Sequence, residues 1–313
     1  MADAYSIAEI MVYPVKACKG ISVPEACISQ TGFLYDREWM VVSADKGRVF
    51  AQARFPKFAL VQPSLPAAAF KGEELDNDAV LEVKAPGMAP LKVPLKRARV
   101  GLKGSSGGRG SGVDVTVWTW SGHGIDEGPE AAAWWSSYLG LPARFVRFDA
   151  DSADRQVEYA PAGYVTGFSN TGQFMFASEA SLTDLNKRLP SPLSMNRFRP
   201  SITLRGPRAF EEDKWKTFST MHSGKTLVFT FVEQCARCKV PTINQENPTG
   251  VGEEPLKTLA TFRSGEVLGL KRSNGKKVYF GAYYVCDLTR DLKRTTKFLP
   301  RLGVGDKLTI ISK

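Results

Sequence analysis

Short runs of β-branched and aromatic residues cross the first 120 positions, each closed by glycine, proline or aspartate, and this spacing restricts the fold more than any other feature. Ile10–Val15, Glu38–Ser43, Ala59–Val61, Ala79–Val83, Leu91–Leu95 and Val113–Trp120 read as strands divided by turns. Strands this dense leave no room for crossover helices, so a barrel or sandwich is expected rather than an α/β sheet. Helical patterns come later. Pro129–Tyr138 has proline for its first turn and Gly140 as its stop, and its Trp134 and Trp135 are expected in the core. Glu179–Leu189 follows Ser178 as its cap, and Glu254–Phe262 fits a short third helix. Ser201–Leu204, Thr226–Val232, Val278–Val285 and Lys307–Ile311 complete the expected strands, giving a mixed, β-rich α+β chain. Its 313 residues suit two domains better than one.

Two segments read as loops, and one motif is rejected. Gly104–Gly112 is flexible by composition, with no helical run behind it to cradle a phosphate, and Asp149–Asn170 is a long polar surface loop. Ser223-Gly-Lys-Thr226 resembles the tail of a P-loop but precedes a strand where a P-loop follows one, so it reads as a turn.

The net charge of +10 is spread along the chain with no block of like charges. Nucleic-acid binding would need a basic stripe or a recognised module, and neither is present, so an anionic ligand or acidic protein partner is the sharper reading of the charge. No run nears the about 20 apolar residues of a membrane span. The N-terminus enters a strand without signal-peptide or transit-peptide order, so a cytoplasmic chain with no membrane anchor is expected. Five cysteines, an odd number, suggest reduced thiols. Two histidines, His123 and His222, exclude a metal site built from several imidazoles.

The strand from Phe229 ends in Cys235-Ala-Arg-Cys238-Lys-Val-Pro241. Half a zinc ribbon would need a second ligand pair, and Cys18, Cys27 and Cys286 occur singly. A thioredoxin-like pair would open a helix, whereas Pro241 makes the following segment turn-like. Two inert buried cysteines are the plain alternative. The preferred reading is a reactive or metal-binding thiolate at Cys238 beside Arg237, with Cys235 ancillary. Lys16, Lys19, Arg37, Arg197 and Arg199 stand near strand ends, and arginine forks suit a phosphate-bearing cofactor.

Tyr13-Pro-Val-Lys-Ala-Cys-Lys-Gly, Asp36-Arg-Glu-Trp, Ser178-Glu-Ala-Ser-Leu, Arg197-Phe-Arg-Pro, Cys235-Ala-Arg-Cys and Glu254-Pro-Leu-Lys-Thr-Leu occur in this order. The pattern resembles the MOSC proteins, most closely the amidoxime-reducing component group in a plant- or alga-like form. The resemblance implies a MOSC-type β-barrel over residues 146–313, preceded by a β-rich N-terminal MOSC domain over residues 1–145 whose first strand is shared with the barrel. It implies a molybdenum cofactor (Mo-molybdopterin), with Cys238 as metal ligand and catalytic residue. Cofactor contacts fall on Lys16, Ala17, Arg37, Asn170, Thr171, Gly172, Arg199, Ser201, Ala236, Arg237 and Tyr283. Ala17 stands where serine is usual, Ser201 where asparagine is common, and Asn170-Thr-Gly-Gln173 replaces a more acidic loop. The implied activity is reduction of N-hydroxylated compounds such as amidoximes and hydroxylamines, with reduction of nitrite to nitric oxide as a second activity. The implied partners are cytochrome b5 and its NADH-dependent reductase, with nitrate reductase as a further donor, and the implied state is a monomer. A cofactor carrier or a sulfur-transfer MOSC protein is the alternative.

Overall fold

The chain is described from a computed structural model, which covers residues 5–96, 111–149, 155–249, 251–271, 274–292 and 299–313. The expected loop over Gly104–Gly112 lies mostly outside these residues. Among the described residues, no helix is long and apolar enough to cross a membrane.

An eight-stranded sheet runs in the order Leu308–Ser312, Thr217–His222, Lys225–Ala236, Tyr279–Cys286, Phe174–Ser178, Ile202–Arg205, Ser6–Val12 and Ile21–Val23. The first strand of the chain therefore belongs to the sheet of the C-terminal half. Ile7 donates its N–H to the Asp306 carbonyl at 3.0 Å, and Leu308 donates to that of Tyr5 at 2.9 Å. These bonds, with the Ser6–Lys307 bridge, curl the sheet back on itself and cover its edge. One pair in this sheet is parallel, Phe174–Ser178 with Ile202–Arg205, and parallel strands need a crossover. The helix Glu179–Asn186 provides it, capped where Ser178 Oγ accepts the Ser181 N–H at 3.0 Å. Phe174, Phe176, Phe218, Phe229 and Tyr284 fill the interior at ring separations of 5.1–5.5 Å, mostly edge to face.

The N-terminal half contributes a four-stranded antiparallel sheet, Trp39–Ser43, Ala143–Phe148, Trp120–Asp126 and Gly112–Val117, and a three-stranded sheet of Gln62–Ser64, Val80–Lys84 and Leu91–Pro94. The helix Pro129–Leu139 lies over them, ending at Gly140 with φ 74°. Trp135 is fully buried, while Trp134 is half-buried and donates Nε1–H to the Ala89 carbonyl at 2.7 Å. Buried Arg147 ties the sheets together through Glu127 at 2.6 Å and the carbonyls of Pro94 and Leu95.

Several expectations need correction. Ala59 and Leu60 lie in a 3₁₀ turn, Pro56–Leu60, opened by Pro56, and Val61 is the extended residue just past it. Val113–Trp120 is a strand ending at Val117, a two-residue turn, and a new strand from Trp120. The first strand runs Ser6–Val12 rather than Ile10–Val15, and the second helix stops at Asn186 rather than Leu189. The strand expected over Thr226–Val232 continues to Ala236, which carries it to the cysteine pair. The described part of the polar loop, from Arg155 to Asn170, buries Val157, Tyr164, Val165 and Phe168. Ser223-Gly224 is the tight turn expected, with φ of 47° and 77° between paired His222 and Lys225.

Glu212 and Asp213 form a buried acidic pair behind the crossover. Glu212 accepts from the Ser178 N–H at 3.1 Å and the Ser181 hydroxyl at 2.7 Å, while Asp213 pairs with buried Arg263. Burial pushes both carboxyls up, Asp213 to about 7, and the Glu212 charge adds to the Asp213 shift. Because the folded values are raised, the stabilisation is complete below the ordinary carboxylate range and is lost as pH rises through neutrality. Melting temperature should therefore fall between about pH 5 and pH 8. Glu212→Gln should flatten that decline by leaving Asp213 alone with Arg263, and an equally steep decline in the variant would contradict the assignment.

Candidate functional site

The cleft lies where the two halves meet and has an empty volume of about 970 Å³, including its open mouth. It is built by the turn after the first strand, the entry to Trp39–Ser43, Phe50–Ala53, the turn at Trp118, the loop before Phe174, the segment leading into Ile202–Arg205, the end of Lys225–Ala236 and Tyr283 of Tyr279–Cys286. Lys16, Ala17, Arg37, Asn170, Gly172, Arg199, Ser201, Ala236, Arg237, Cys238 and Tyr283 all line it. Thr171 is the one residue of the expected set that does not. Lys19 turns away to Glu246 at 3.3 Å, and Arg197 to the Pro241 carbonyl at 2.7 Å.

Strand alternation decides the fate of the two cysteines. Cys235 faces inward and is buried, Ala236 faces out, Arg237 turns in, and Cys238 emerges exposed just past the strand end. Of the five cysteines, Cys238 alone is exposed. The guanidinium expected beside Cys238 instead donates to the Cys235 sulfur at 2.9 Å and the Phe198 carbonyl at 2.7 Å. Burial raises the Cys235 thiol, with Arg237 and Tyr283 opposing it. Cys235 is thus the anchor that orients Arg237 along the cleft wall. Arg237 Nε is buried with no hydrogen-bond partner among the described residues.

The cations share little negative charge. Asp36 holds Arg37 at 2.5 Å and also accepts the Tyr13 N–H at 2.8 Å. Among the described residues, no aspartate or glutamate lines the cleft. Lys16, Arg199 and Arg237 form no ion pair with a carboxylate among the described residues, and the carboxylate charge that Arg199 feels is that of the Asp36 already held by Arg37. Lys16 donates to the Phe168 carbonyl and to Asn170 Oδ1, both at 2.6 Å. Burial, reinforced by Arg155, Arg37 and Arg199, holds the Lys16 amine well below its ordinary value. An incoming anion would favour its charged form. Arg37 and Arg199 flank the Tyr13 ring at 4.2 and 4.3 Å.

Backbone strain gathers here. Ala17, Arg37, Trp118 and Arg199 have φ of 74°, 49°, 55° and 55°, and all line the cleft. Such conformations cost about 1–3 kcal/mol each and persist where their surroundings enforce them. Arg37 shows the enforcement: its N–H donates to the Tyr13 carbonyl at 2.7 Å, and its carbonyl accepts from Phe168 at 3.0 Å. A methyl at Gly172 would sit 3.0 Å from Tyr283 Cβ, so glycine lets the loop lie against that strand.

Sequence reasoning missed Phe50–Ala53, Trp118, Ser169, Gln173, Met175, Phe198 and Val240 of the lining. Of these only Gln52 had a readable signal, an amide among apolar residues, because the turn that sets Trp118 into the cleft appears only in the structure. Gln52 Nε2 donates to the Ala17 carbonyl at 2.8 Å and to Gln245 Oε1 at 3.0 Å, tying the N-terminal half to the site.

This donor set fits a metal that brings its own ligands. Among the described residues no three His, Cys, Asp or Glu side chains gather to hold an ion. One exposed thiol stands among cations of which only Arg37 is paired with a carboxylate among the described residues, which suits an anionic organic group carrying a soft metal.

Residues 4–142 match the MOSC N-terminal beta barrel domain, and residues 163–309 match the MOSC domain. The chain is 31% identical to Mitochondrial amidoxime reducing component 2 of Bos taurus over 92% of its own length and 81% of that protein's. It is 30% identical to Mitochondrial amidoxime-reducing component 1 of Xenopus laevis, covering 90% and 78% of the two chains. Molybdenum cofactor sulfurase of Danio rerio is 28% identical over 84% of this chain but only 31% of that protein.

Proposed function

The chain belongs to the amidoxime-reducing component family of MOSC-domain proteins, and from that premise we propose that it is a molybdenum-cofactor-dependent reductase of N-hydroxylated compounds. The observation that carries this reading is the exposed Cys238 thiol in a cleft whose Lys16, Arg199 and Arg237 form no ion pair with a carboxylate among the described residues.

In this reading Lys16, Arg37 and Arg199 hold the cofactor's phosphate, and the Ala17 backbone and Ser201 hydroxyl contact it nearby. Cys238 provides the thiolate that joins the metal, continuing the preference of a sulfur-rich ligand set. When bound, the cofactor supplies two-electron reduction: two electrons and two protons convert an N–OH group into N–H and water. The cleft's own part is positional. Asp36 and Tyr13 fix Arg37, Cys235 fixes Arg237, and Asn170 fixes Lys16.

The sequence shows no flavin, haem or nicotinamide motif, so the electrons come from a partner. Cytochrome b5 with its NADH-dependent reductase is the proposed donor. The +10 charge suits an acidic partner surface, and such a contact weakens with salt. Reduction of nitrite to nitric oxide, with nitrate reductase as donor, is proposed as a second activity. The likeness to the cofactor sulfurase favours the rival reading of a cofactor carrier or sulfur-transfer MOSC protein.

The test is elemental analysis of protein made in a host that synthesises the cofactor, followed by benzamidoxime reduction with NADH, cytochrome b5 and its reductase. About one molybdenum per chain with turnover is expected. One molybdenum without turnover favours the carrier, and no molybdenum overturns both readings. Arg199→Ala should lower cofactor content at limiting supply by about tenfold or more, because charge-assisted bonds are worth about 1.5–3 kcal/mol each. Unchanged content would remove Arg199 from the anion site.

A further inference from the structure

Trp118 is placed in a way that folding does not explain. It is 55% exposed, so its indole gains little from burial. Its φ of 55° is a left-handed conformation that bulky residues rarely adopt. It begins the two-residue turn between paired Val117 and Trp120, a position where glycine, asparagine or aspartate is the ordinary occupant. Neither the exposure nor the backbone favours tryptophan here.

The indole nevertheless has a fixed address. Trp118 lines the same cleft as Cys238. Its Nε1–H donates to Asn170 Oδ1 at 3.1 Å, and that oxygen also accepts from Lys16 Nζ at 2.6 Å. Lys16 Nζ lies 6.0 Å from the ring centroid. The ring is thus tethered through its edge, while more than half of the residue stays open to solvent. Phe50 and Phe198 add apolar lining to the same cleft.

We propose that Trp118 is a specificity-determining residue, a stacking surface at the cleft rim that selects planar, π-delocalised N-hydroxylated substrates over small non-planar ones. The inference rests on the reductase reading and names its substrate class. Arylamidoximes and N-hydroxylated heterocyclic bases present a flat face that an indole recognises by offset stacking. Hydroxylamine has no such face and gains nothing from the ring. The strained, exposed turn is the cost of holding that ring where substrate enters, since outliers of this kind gather at functional sites.

The experiment uses cofactor-loaded wild type, Trp118→Phe, Trp118→Ala and Trp118→Gly. KM and kcat are measured for benzamidoxime and for hydroxylamine. Trp118→Ala should raise the benzamidoxime KM by about tenfold, the upper range of an aromatic pair, with kcat and both hydroxylamine constants within about twofold. Trp118→Phe should restore most of the benzamidoxime KM, because it keeps a stacking face. Trp118→Gly should lose discrimination like alanine yet melt no lower than wild type, because glycine relieves the left-handed turn. An equal rise in KM for both substrates, or a marked drop in melting temperature for the glycine variant, makes Trp118 a structural residue and overturns the proposal. Calorimetric titration with benzamidoxime in the absence of electron donors gives a readout independent of turnover. If wild type binds about tenfold more tightly than Trp118→Ala but neither turns over, stacking stands and the reductase reading fails. If both bind equally while wild type turns over, the reductase reading stands and the stacking proposal fails.

Discussion

Cys238→Ala is expected to lower benzamidoxime reduction by more than about 100-fold, because partners behind a metal ligand are alone worth about 10- to 100-fold. Cys238 is exposed and outside regular structure, so the fold should not register the change, with stability within about 0.5 kcal/mol of wild type. Lys16, Arg37 and Arg199 remain in place, so molybdenum content should fall less than activity. Cys235→Ala provides the contrast. That thiol is buried against Arg237, whose NH2 keeps the Phe198 carbonyl and whose NH1 keeps the Met175 sulfur at 3.3 Å. Its activity should stay within about tenfold of wild type, in line with an orienting partner. Equal loss at the two positions would mean that both sulfurs serve the metal, contrary to the proposed single ligand.

The second large effect falls on Asp36. Its side chain is 3% exposed and bonds both the Tyr13 N–H and Arg37, whose side chain is 14% exposed. Burial pushes the Asp36 carboxyl up even with Arg37 beside it, so the pair is only partly compensated for leaving water. Removing one member of such a pair leaves the other charge buried, which costs about 3–5 kcal/mol. Asp36→Ala should destabilise by that amount, read as a shift of the denaturation midpoint with an unchanged m-value. It should also lower cofactor content, because Arg37 loses its bearing. Asp36→Asn keeps an acceptor for the Tyr13 amide and should cost less. A loss below about 1 kcal/mol in the alanine variant would show that Arg37 finds water instead and that the pair is not structural.

The parts of the fold legible in the sequence were those with local causes. Pro129 and Gly140 bracket their helix, Ser178 caps the crossover, and Ser223-Gly224 makes its turn as expected. Each depends on the backbone freedom or hydrogen bonding of one or two residues. The errors came where distant contacts set an element's limits. Pairing with Tyr279–Cys286 extends the Lys225–Ala236 strand beyond the β-forming run, and Trp118 breaks a continuous β-forming stretch into a hairpin. Phe174–Ser178 was not anticipated, because its partners Ile202–Arg205 and Tyr279–Cys286 lie far along the chain, whereas Thr217–His222 was implied only as the strand before the Ser223-Gly224 turn and given no range.

The sequence by itself determined which chemistry was available: five cysteines, too few histidines for an imidazole site, cations near strand ends and an ordered set of family motifs. Only the tertiary structure decided which of these groups meet. It brought Lys16, Arg37 and Arg199 together across about 180 residues of chain, sent Lys19 and Arg197 elsewhere, and gave Arg237 to Cys235 rather than Cys238. It also placed Trp118 of the N-terminal half at the rim of the same cleft. The physical reason is that a residue's type is written in the sequence, whereas its direction and neighbours follow from strand alternation, register and long-range pairing.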